Sequence, residues 1–308
     1  IDSYIIEDIK IFPHQGMDQW ERNSISTINE ELYNTFDIFP NQNISVSEPF
    51  QGRGIEFVCI QVTPYTYYPK YNSLEVYTSI NINVIEVGEN FDNKLRQPKR
   101  SYIFDQFYED FVINFEYSDR IDEYQASSIL YIGGGSSLDN SFVQELIEWR
   151  HKQGYIVYTA TESEVGGSNA STTEIKNYIS NAYYNWENPP EIVGLIGDTQ
   201  GSFGLPNFDH SWGGYSGATD FDYSQLDGGD IIPEIFIGRI SCSATSELEN
   251  IINKTLQYEK AIYLEDRFFN NAGLLGDPST SGNSCAITKQ AIKGLLEIIN
   301  NHKVIAAT

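Results

Sequence analysis

Residues 127–160 have the sequence SSILYIGGGSSLDNSFVQELIEWRHKQGYIVYTA, and this stretch decides the fold class. The apolar run SSILYIGG predicts a buried strand, and YIVYTA predicts the next one. Between them, LDNSFVQELIEWRHKQG predicts a helix with Asp139 near its start and Gly154 at its end. A strand, a helix and a strand in succession are typical of a mostly parallel α/β sheet with helices on both faces.

The same alternation continues toward the C-terminus. The predicted elements are helix 168–186, strand 191–197, strand 234–240, helix 244–262, strand 271–277 and helix 284–301. A long loop, 197–234, is rich in glycine and acidic residues. Ligands of such sheets bind at the carboxyl ends of the strands, so the loops there are the places to look for chemistry.

The residues before 121 follow a different pattern. Residues 44–87 are rich in Val, Ile, Tyr and Thr and alternate with period two, which predicts an all-β sandwich. Residues 89–120 lose the alternation and carry a basic cluster, as a linker would. We therefore predict three parts, with boundaries 1–88, 89–120 and 121–308.

Composition narrows the choice of partners. The 308 residues include 43 acidic and 19 basic ones, for a formal net charge of −24. Such a field repels nucleic acid and anionic membranes and favours divalent cations. No apolar run approaches the roughly 20 residues that span a bilayer. The chain opens on IDSYIIEDIK, with neither a signal peptide nor an initiator Met, and we expect a processed or trimmed piece of a longer product.

Several familiar motifs fail on detail. The triple glycine 133–135 does not continue as G-x-G-x-x-G and no P-loop lysine follows, so a tight turn explains it better than phosphate binding. Ser216 in GGYSG is off the G-x-S-x-G spacing and falls in the predicted long loop rather than on a strand-to-helix elbow. The cysteines, Cys59, Cys242 and Cys285, fit neither a disulfide framework nor a zinc spacing.

The acidic residues around LDGGDIIPE form a more specific pattern. Asp198 ends a predicted buried strand, and Asp227, Asp230 and Glu234 lie in the turn before the next one. Unpaired carboxylates at strand ends are costly to desolvate, and a calcium ion, which takes six to eight oxygen ligands, would remove that cost. The glycine pair 228–229 would let the chain curl around an ion. A solvated acidic turn is the alternative at this point.

Two segments resemble a known family. Residues 219–260, TDFDYSQLDGGDIIPEIFIGRISCSATSELENIINKTLQYEK, preceded by EIVGLIGD, resemble the gingipain family of secreted cysteine endopeptidases, which have a caspase-like α/β fold. Residues 53–84 resemble the end of that family's β-sandwich propeptide. The resemblance implies a calcium ion (Ca2+) held by Asp198, Asp227, Asp230, the carbonyl of Ile232, and Glu234.

The resemblance also implies roles for other residues. It places Cys285 in the substrate pocket where arginine-specific relatives have an aspartate, so cleavage after Arg is not expected. It places the catalytic His and Cys beyond residue 308, so the 308 residues alone should be inactive. The propeptide, residues 1–88, would act as an intramolecular inhibitor, and Lys99, Arg100 and Arg120 in or at the end of the linker 89–120 are candidate activation-cleavage sites.

These implications define the function that we expect and its rivals. The expected parent is a secreted or cell-surface cysteine endopeptidase that acts on proteins or peptides and is made as a zymogen. A sortase-like transpeptidase of the same family is one alternative. A non-catalytic, calcium-dependent binding or scaffold protein is another, and a His-Gly pair and a Cys further along the gene would argue against it.

Overall fold

The computed structural model describes residues 2–11, 38–85, 99–116, 124–167, 169–212, 215–262, 271–275, 294 and 303–307. The chain divides into two compact units, each built from several segments. The first comprises Ile1–Ser128, Ile175–Val193 and Phe208–Ile237. The second comprises Ile129–Glu174, Gly194–Asn207 and Gly238–Thr308.

The N-terminal part of the first unit is rich in short strands, as the period-two pattern predicts. These are β1 (Asp2–Ile6), β2 (Ile44–Val46), β3 (Phe50–Gly52), β4 (Ile55–Phe57), β5 (Ile60–Val62), β6 (Tyr65–Tyr68) and β7 (Ser73–Ser79). They form a sheet of order β1-β7-β6 and the pairs β2-β5 and β3-β4, and all of these pairings are antiparallel. The turn predicted between β6 and β7 is a 3₁₀ turn, Pro69–Tyr71, that ends at Asn72 with φ 49°.

A helix lies inside the segment predicted as a basic linker. Helix α1 (Tyr102–Glu109) begins after Ser101, whose hydroxyl accepts the N–H of Phe104 at 3.2 Å. Phe104 and Tyr108 are 1% exposed, and they lie four residues apart on the buried face. The linker was predicted from the lost alternation and the basic cluster. The apolar spacing of this segment, which is the pattern of an amphipathic helix, was not used.

The remaining strands and helices alternate as predicted. The strands are β8 (Ser128–Gly133), β9 (Ile156–Thr161), β10 (Ile192–Ile196), β11 (Phe208–Trp212), β12 (Tyr215–Thr219), β13 (Phe236–Ile240), β14 (Asn271–Leu275) and β15 (Lys303–Ala307). The helices are α2 (Ser141–Lys152), α3 (Glu162–Val165), α4 (Thr172–Asn185) and α5 (Thr245–Glu259). A parallel sheet has the order β13-β10-β8-β9, and β14 pairs parallel with β15. The predicted class, α/β with a strand-rich N-terminal region, is confirmed.

The segment predicted as one long loop, 197–234, is only partly a loop. It contains the antiparallel hairpin β11-β12 and a 3₁₀ turn, Phe221–Ser224. The hairpin strands are short and mix polar with small residues, so their alternation is weak beside the glycines and acids around them. The predicted helix 284–301 lies outside the described residues except at Gly294, which is helical.

The core of the second unit explains its helix spacing. All six residues of β8 are buried, as a strand covered on both faces requires. Helix α2 begins at Asn140, whose side chain accepts the N–H of Phe142 at 2.9 Å. The buried positions of α5, Leu248, Ile252 and Leu256, recur every fourth residue and form one apolar stripe.

Candidate functional site

The acidic turn, residues 226–234 of the first unit, is held in shape by hydrogen bonds from its backbone to its own carboxylates. Glu234 is fully buried, and its Oε2 accepts the N–H groups of Leu226 at 2.6 Å and Asp227 at 3.0 Å. One carboxylate thus joins the start of the turn to its end. Gly228 and Gly229 have φ of 69° and 66°, which glycine adopts at little cost. This geometry explains the glycine pair of LDGGDIIPE.

Asp227 and Asp230 also have partners in the first unit. Asp230 accepts the N–H of Gln51 through Oδ2 and that of Ile232 through Oδ1, each at 2.7 Å. The hydroxyl of Tyr184 donates to Asp227 Oδ1 at 3.1 Å. The bond from Gln51 connects this turn to β3, 179 residues away in sequence. The turn is therefore fixed partly by the N-terminal region.

The turn contains a buried carboxylate, Glu234, that no cation neutralises through a direct contact in the described part of the chain. Glu234 Oε1 is buried and has no hydrogen-bond partner among the described residues. Burial raises the pKa of Glu234 to about 7, and the carboxylates of Asp227 and Asp230 act in the same direction. A cation near this oxygen would favour the ionised form and compensate for its burial.

Asp198, the remaining predicted ligand, belongs to the second unit. Its Oδ1 accepts the N–H of Thr199 at 2.8 Å and the hydroxyl of Ser241 at 2.9 Å. These bonds, with Arg239 nearby, lower the pKa of Asp198. The turn places Asp227, Asp230 and Glu234 within eight residues of one another. However, no three His, Cys, Asp or Glu side chains in the described part of the chain are grouped closely enough to hold a metal ion.

The predicted pocket and cleavage residues are only partly described. Cys285 and Arg120 lie outside the described residues. Lys99 is exposed. Arg100 pairs with Asp105, and its guanidinium carbon lies 5.3 Å from the centre of the Tyr124 ring. Arg100 is therefore half-buried and held at the start of α1, rather than extended in solvent.

The cysteines and histidines that the structure describes do not form a nucleophile and base. Cys242 is 1% exposed, and burial raises its thiol pKa, with Glu247 and Asp198 adding to the effect. A nucleophilic cysteine needs the opposite shift. His210 is hydrogen-bonded to Asp222 at 2.9 Å, and His151 contacts the carbonyl of Tyr155 at 3.2 Å. Cys59 is exposed.

Sequence reasoning missed a buried cation of the first unit, Arg53. The residue lies in the turn between β3 and β4 and is 5% exposed. Its Nη1 donates to the carbonyls of Pro190 and Glu234, each at 3.0 Å, and its Nη2 donates to Gln125 Oε1 at 2.9 Å. The motif GRG predicts a turn, and nothing in it indicates that the arginine would be enclosed.

Comparison with known proteins assigns the two halves of the chain separately. The model of peptidase family C25 matches residues 123–308, and that of the C25 propeptide, Propeptide_C25, matches residues 3–121. Gingipain R2 of Porphyromonas gingivalis is 25% identical over 321 residues, which cover 99% of this chain and 42% of the relative. Lys-gingipain of the same organism is 28% identical over 259 residues, covering 81% of this chain and 14% of the relative.

A solved structure is also similar in part. The crystal structure of the Arg-specific cysteine proteinase gingipain R is 22% identical, with a TM-score of 0.45, over 59% of this chain and 41% of that one. The chain spans less than half the length of the relatives above. The family match covers more than half of the 308 residues. The chain therefore belongs to peptidase family C25.

Proposed function

We propose that this chain is part of the zymogen of a secreted or cell-surface cysteine endopeptidase that hydrolyses proteins or peptides. The observation that carries the proposal is the pair of adjoining family matches, the propeptide over 3–121 and the peptidase over 123–308. Among the described residues no helix is long and apolar enough to cross a membrane. In the proposed reaction a thiolate attacks the peptide carbonyl. A histidine takes up the thiol proton and passes it to the amine that leaves as the C–N bond breaks, and water then releases the acyl group from the thiol.

The test uses the product of the whole gene and the 308-residue chain side by side. We expect the whole product, once its N-terminal region is cleaved, to hydrolyse a peptide library in a reaction that a thiol-alkylating reagent stops. We expect no thiol-dependent hydrolysis by the 308 residues alone, because Cys242 is buried with a raised pKa, Cys285 is assigned to the pocket, and the described histidines are hydrogen-bonded to Tyr155 and Asp222 rather than to the exposed Cys59. Thiol-dependent hydrolysis by the 308-residue chain would contradict the proposal. So would hydrolysis by the whole product that continues after its thiols are alkylated.

Within this function we propose that residues 1–120 inhibit the peptidase until they are removed, and that the pocket does not favour arginine. The second point rests on Cys285, because a neutral thiol cannot form the charge-assisted, two-pronged contact that selects a guanidinium. A Cys285→Asp variant of the whole product should gain cleavage after Arg relative to other residues. An unchanged cleavage preference would remove Cys285 from the pocket.

We further propose that a calcium ion stabilises the acidic turn, with Asp227, Asp230, the Ile232 carbonyl and Glu234, all in the first unit, as the ligands. Support comes from the donor set, which is all oxygen, and from the buried Glu234 Oε1, which has no hydrogen-bond partner in the described part of the chain. Calcium would supply charge compensation there. The carboxylates at present accept backbone N–H groups, so binding must exchange some of these bonds for metal contacts.

Removal of calcium should therefore destabilise the chain. We expect EDTA to lower the melting temperature, and added calcium to restore it, because the ion binds only the folded turn. Asp227→Ala should abolish this response. Tyr184→Phe is the matched control. It removes the hydroxyl that donates a hydrogen bond to Asp227 but leaves the Asp227 carboxylate, so the response to EDTA should persist. Identical melting curves with and without EDTA would count against the site.

A further inference from the structure

Arg53 is a cation enclosed by the protein, and its surroundings come from distant parts of the sequence. Charged side chains are seldom buried to this extent, and the hydrogen bonds of Arg53 are made by its two Nη atoms, because Nε has no partner among the described residues. Arg53 belongs to the region that the propeptide model matches, whereas its acceptors, Gln125, Pro189, Pro190 and Glu234, belong to the peptidase match. All of these residues lie in the first compact unit.

The enclosure fits the shape of a guanidinium group. Neutral oxygens lie around its edge: the carbonyls of Pro190 and Glu234 at 3.0 Å and Gln125 Oε1 at 2.9 Å. Aromatic rings lie near it, with Phe104 and Tyr183 each centred 5.3 Å from Cζ. A planar cation with several N–H donors and weakly hydrated faces satisfies both features, and a lysine ammonium does not.

Three of the acceptor residues, Gln125, Pro189 and Glu234, are fixed by bonds that do not involve Arg53. Gln125 Nε2 donates to the Pro189 carbonyl at 2.8 Å, and the Ser128 hydroxyl donates to the same carbonyl at 2.8 Å. The Glu234 N–H donates to the Ser224 carbonyl at 3.0 Å. Because these bonds hold the oxygens in place, the site can persist when the arginine is replaced.

Two buried carboxylates give the site its negative potential. Glu191 and Glu234 are both fully buried, and each has an Oε1 without a hydrogen-bond partner among the described residues. Burial lowers the pKa of Arg53, and the two carboxylates oppose that shift by favouring the charged guanidinium. Neither carboxylate is hydrogen-bonded to the guanidinium. The direct contacts of Arg53 are therefore neutral oxygens, and the two carboxylates act on it only through their charge.

We propose that Gln125, Pro189, Pro190 and Glu234 form a guanidinium-binding site, and that Arg53 in this site holds the N-terminal region to the peptidase-matching segments. When the Arg53 side chain is absent, the site binds a small guanidinium from solution. The inference does not depend on whether the parent protein hydrolyses peptides, because it concerns the folded chain alone.

Chemical rescue of Arg53→Ala tests the site. We expect this variant to melt about 5 °C or more below wild type, because a fixed set of buried acceptors loses its partner. Ethylguanidinium at about 20 mM should restore several degrees to the variant and none to wild type. Ethylammonium has the same charge without the planar group and should restore nothing. An unchanged melting temperature of Arg53→Ala, or equal effects of the two cations, would overturn the proposal.

Milder variants keep the test decisive if Arg53→Ala does not fold. Arg53→Lys retains the charge but should still lower the melting temperature, and Gln125→Ala removes one acceptor and should lower it less. The double variant should lose less than the sum of the two, because both changes affect one contact. Additive losses would overturn the proposal.

Arg150→Ala in the second unit is the control. Arg150 pairs with Glu259 at a site that is partly open to water, so ethylguanidinium should not raise the melting temperature of this variant. Equal rescue of Arg150→Ala and Arg53→Ala would show a general effect of the cation and would also overturn the proposal.

Discussion

The glycine pair in the acidic turn shows how single residues set the local backbone. Gly228 has φ of 69°, and a Cβ built there would lie 2.6 Å from Asp230 Oδ2 and 2.9 Å from the Cβ of Gln51. Both the backbone angle and the space therefore require glycine. The close approach involves β3, so this residue is constrained by the N-terminal region as well as by the turn.

Gly228→Ala should destabilise the chain by about 1–3 kcal/mol, because it combines backbone strain with displacement of Asp230. Chemical denaturation measures this loss. Gly238→Ala in β13 is the matched control: a Cβ there meets no atom within 4 Å, so the free energy of unfolding should change little. A Gly228→Ala variant as stable as the control would mean that the turn relaxes freely.

Glu191 gives the stability of the chain a dependence on pH. Burial raises its pKa, against the opposing effects of Ser101, Arg53 and Ser128. Between the ordinary glutamate pKa of about 4.3 and the raised value, the folded state binds more protons than the unfolded state. Stability should therefore be highest below about pH 4.3 as far as this group is concerned, and should fall as the pH rises through that window.

Glu191→Gln tests this dependence with little change of shape. The amide keeps an oxygen that can accept the Ser128 N–H, which Glu191 Oε2 accepts at 3.1 Å. We expect the variant to lose less stability than wild type as the pH rises above about 4.3, when denaturation midpoints are compared. Glu234 titrates in the same direction in both proteins, so the difference between them isolates Glu191. If the stabilities of the variant and wild type change equally with pH, the pH dependence does not come from Glu191.

At the level of whole elements, helices α2 and α5 are joined at their last turns. Glu259 on α5 accepts Arg150 Nη2 at 2.8 Å and the indole N–H of Trp149 at 2.8 Å. The side chains of the ion pair are 18% and 23% exposed, so the contact is partly shielded from water. The hydrogen-bonded ion pair with Arg150 lowers the pKa of Glu259. The stability that this pair contributes is therefore lost as the pH falls through the lowered pKa.

Glu259→Ala should cost about 1–3 kcal/mol, because it leaves two donors without their acceptor. Thermal or chemical denaturation at neutral pH measures the loss. Glu148→Ala is the control: Glu148 forms an exposed pair with Lys152 on α2, and its removal should have no measurable effect. Equal losses in the two variants would show that the α2–α5 contact adds nothing beyond surface charge.

The sequence predicted elements well where a single periodicity dominated. The buried strand β8 and the helices α2, α4 and α5 were found because apolar spacing and end signals agree there. Helix α1 and the hairpin β11-β12 were missed because basic or acidic residues obscured short patterns. The three acids and two glycines predicted a tight turn at LDGGDIIPE, and the structure has one there, while its role as a calcium site stays a prediction. Arg53 could not be found, since its burial depends on segments more than 130 residues away.

Across the whole molecule, the compact units do not follow the boundary between the two family matches. The first unit contains the propeptide-matching residues together with segments 175–193 and 208–237 of the peptidase match. Three kinds of contact join them: Arg53 in its site, the N–H of Gln51 on Asp230, and the ring of Phe104, centred 4.6 Å from that of Phe236. Cutting the covalent link between the two matches leaves all three contacts in place.

The two pieces should therefore remain associated after cleavage. We expect a chain with a specific protease site in place of residues 117–120 to be cut completely and still elute as one species in size-exclusion chromatography, because the buried arginine and aromatic contacts do not need the connecting peptide. Arg53→Lys in the same cut chain should dissociate at lower urea concentration, since the lysine cannot satisfy the planar set of acceptors. Phe111→Ala is a suitable control, because that ring is 46% exposed. Immediate separation of the cut wild-type pieces would show that the connection, rather than these contacts, holds the first unit together.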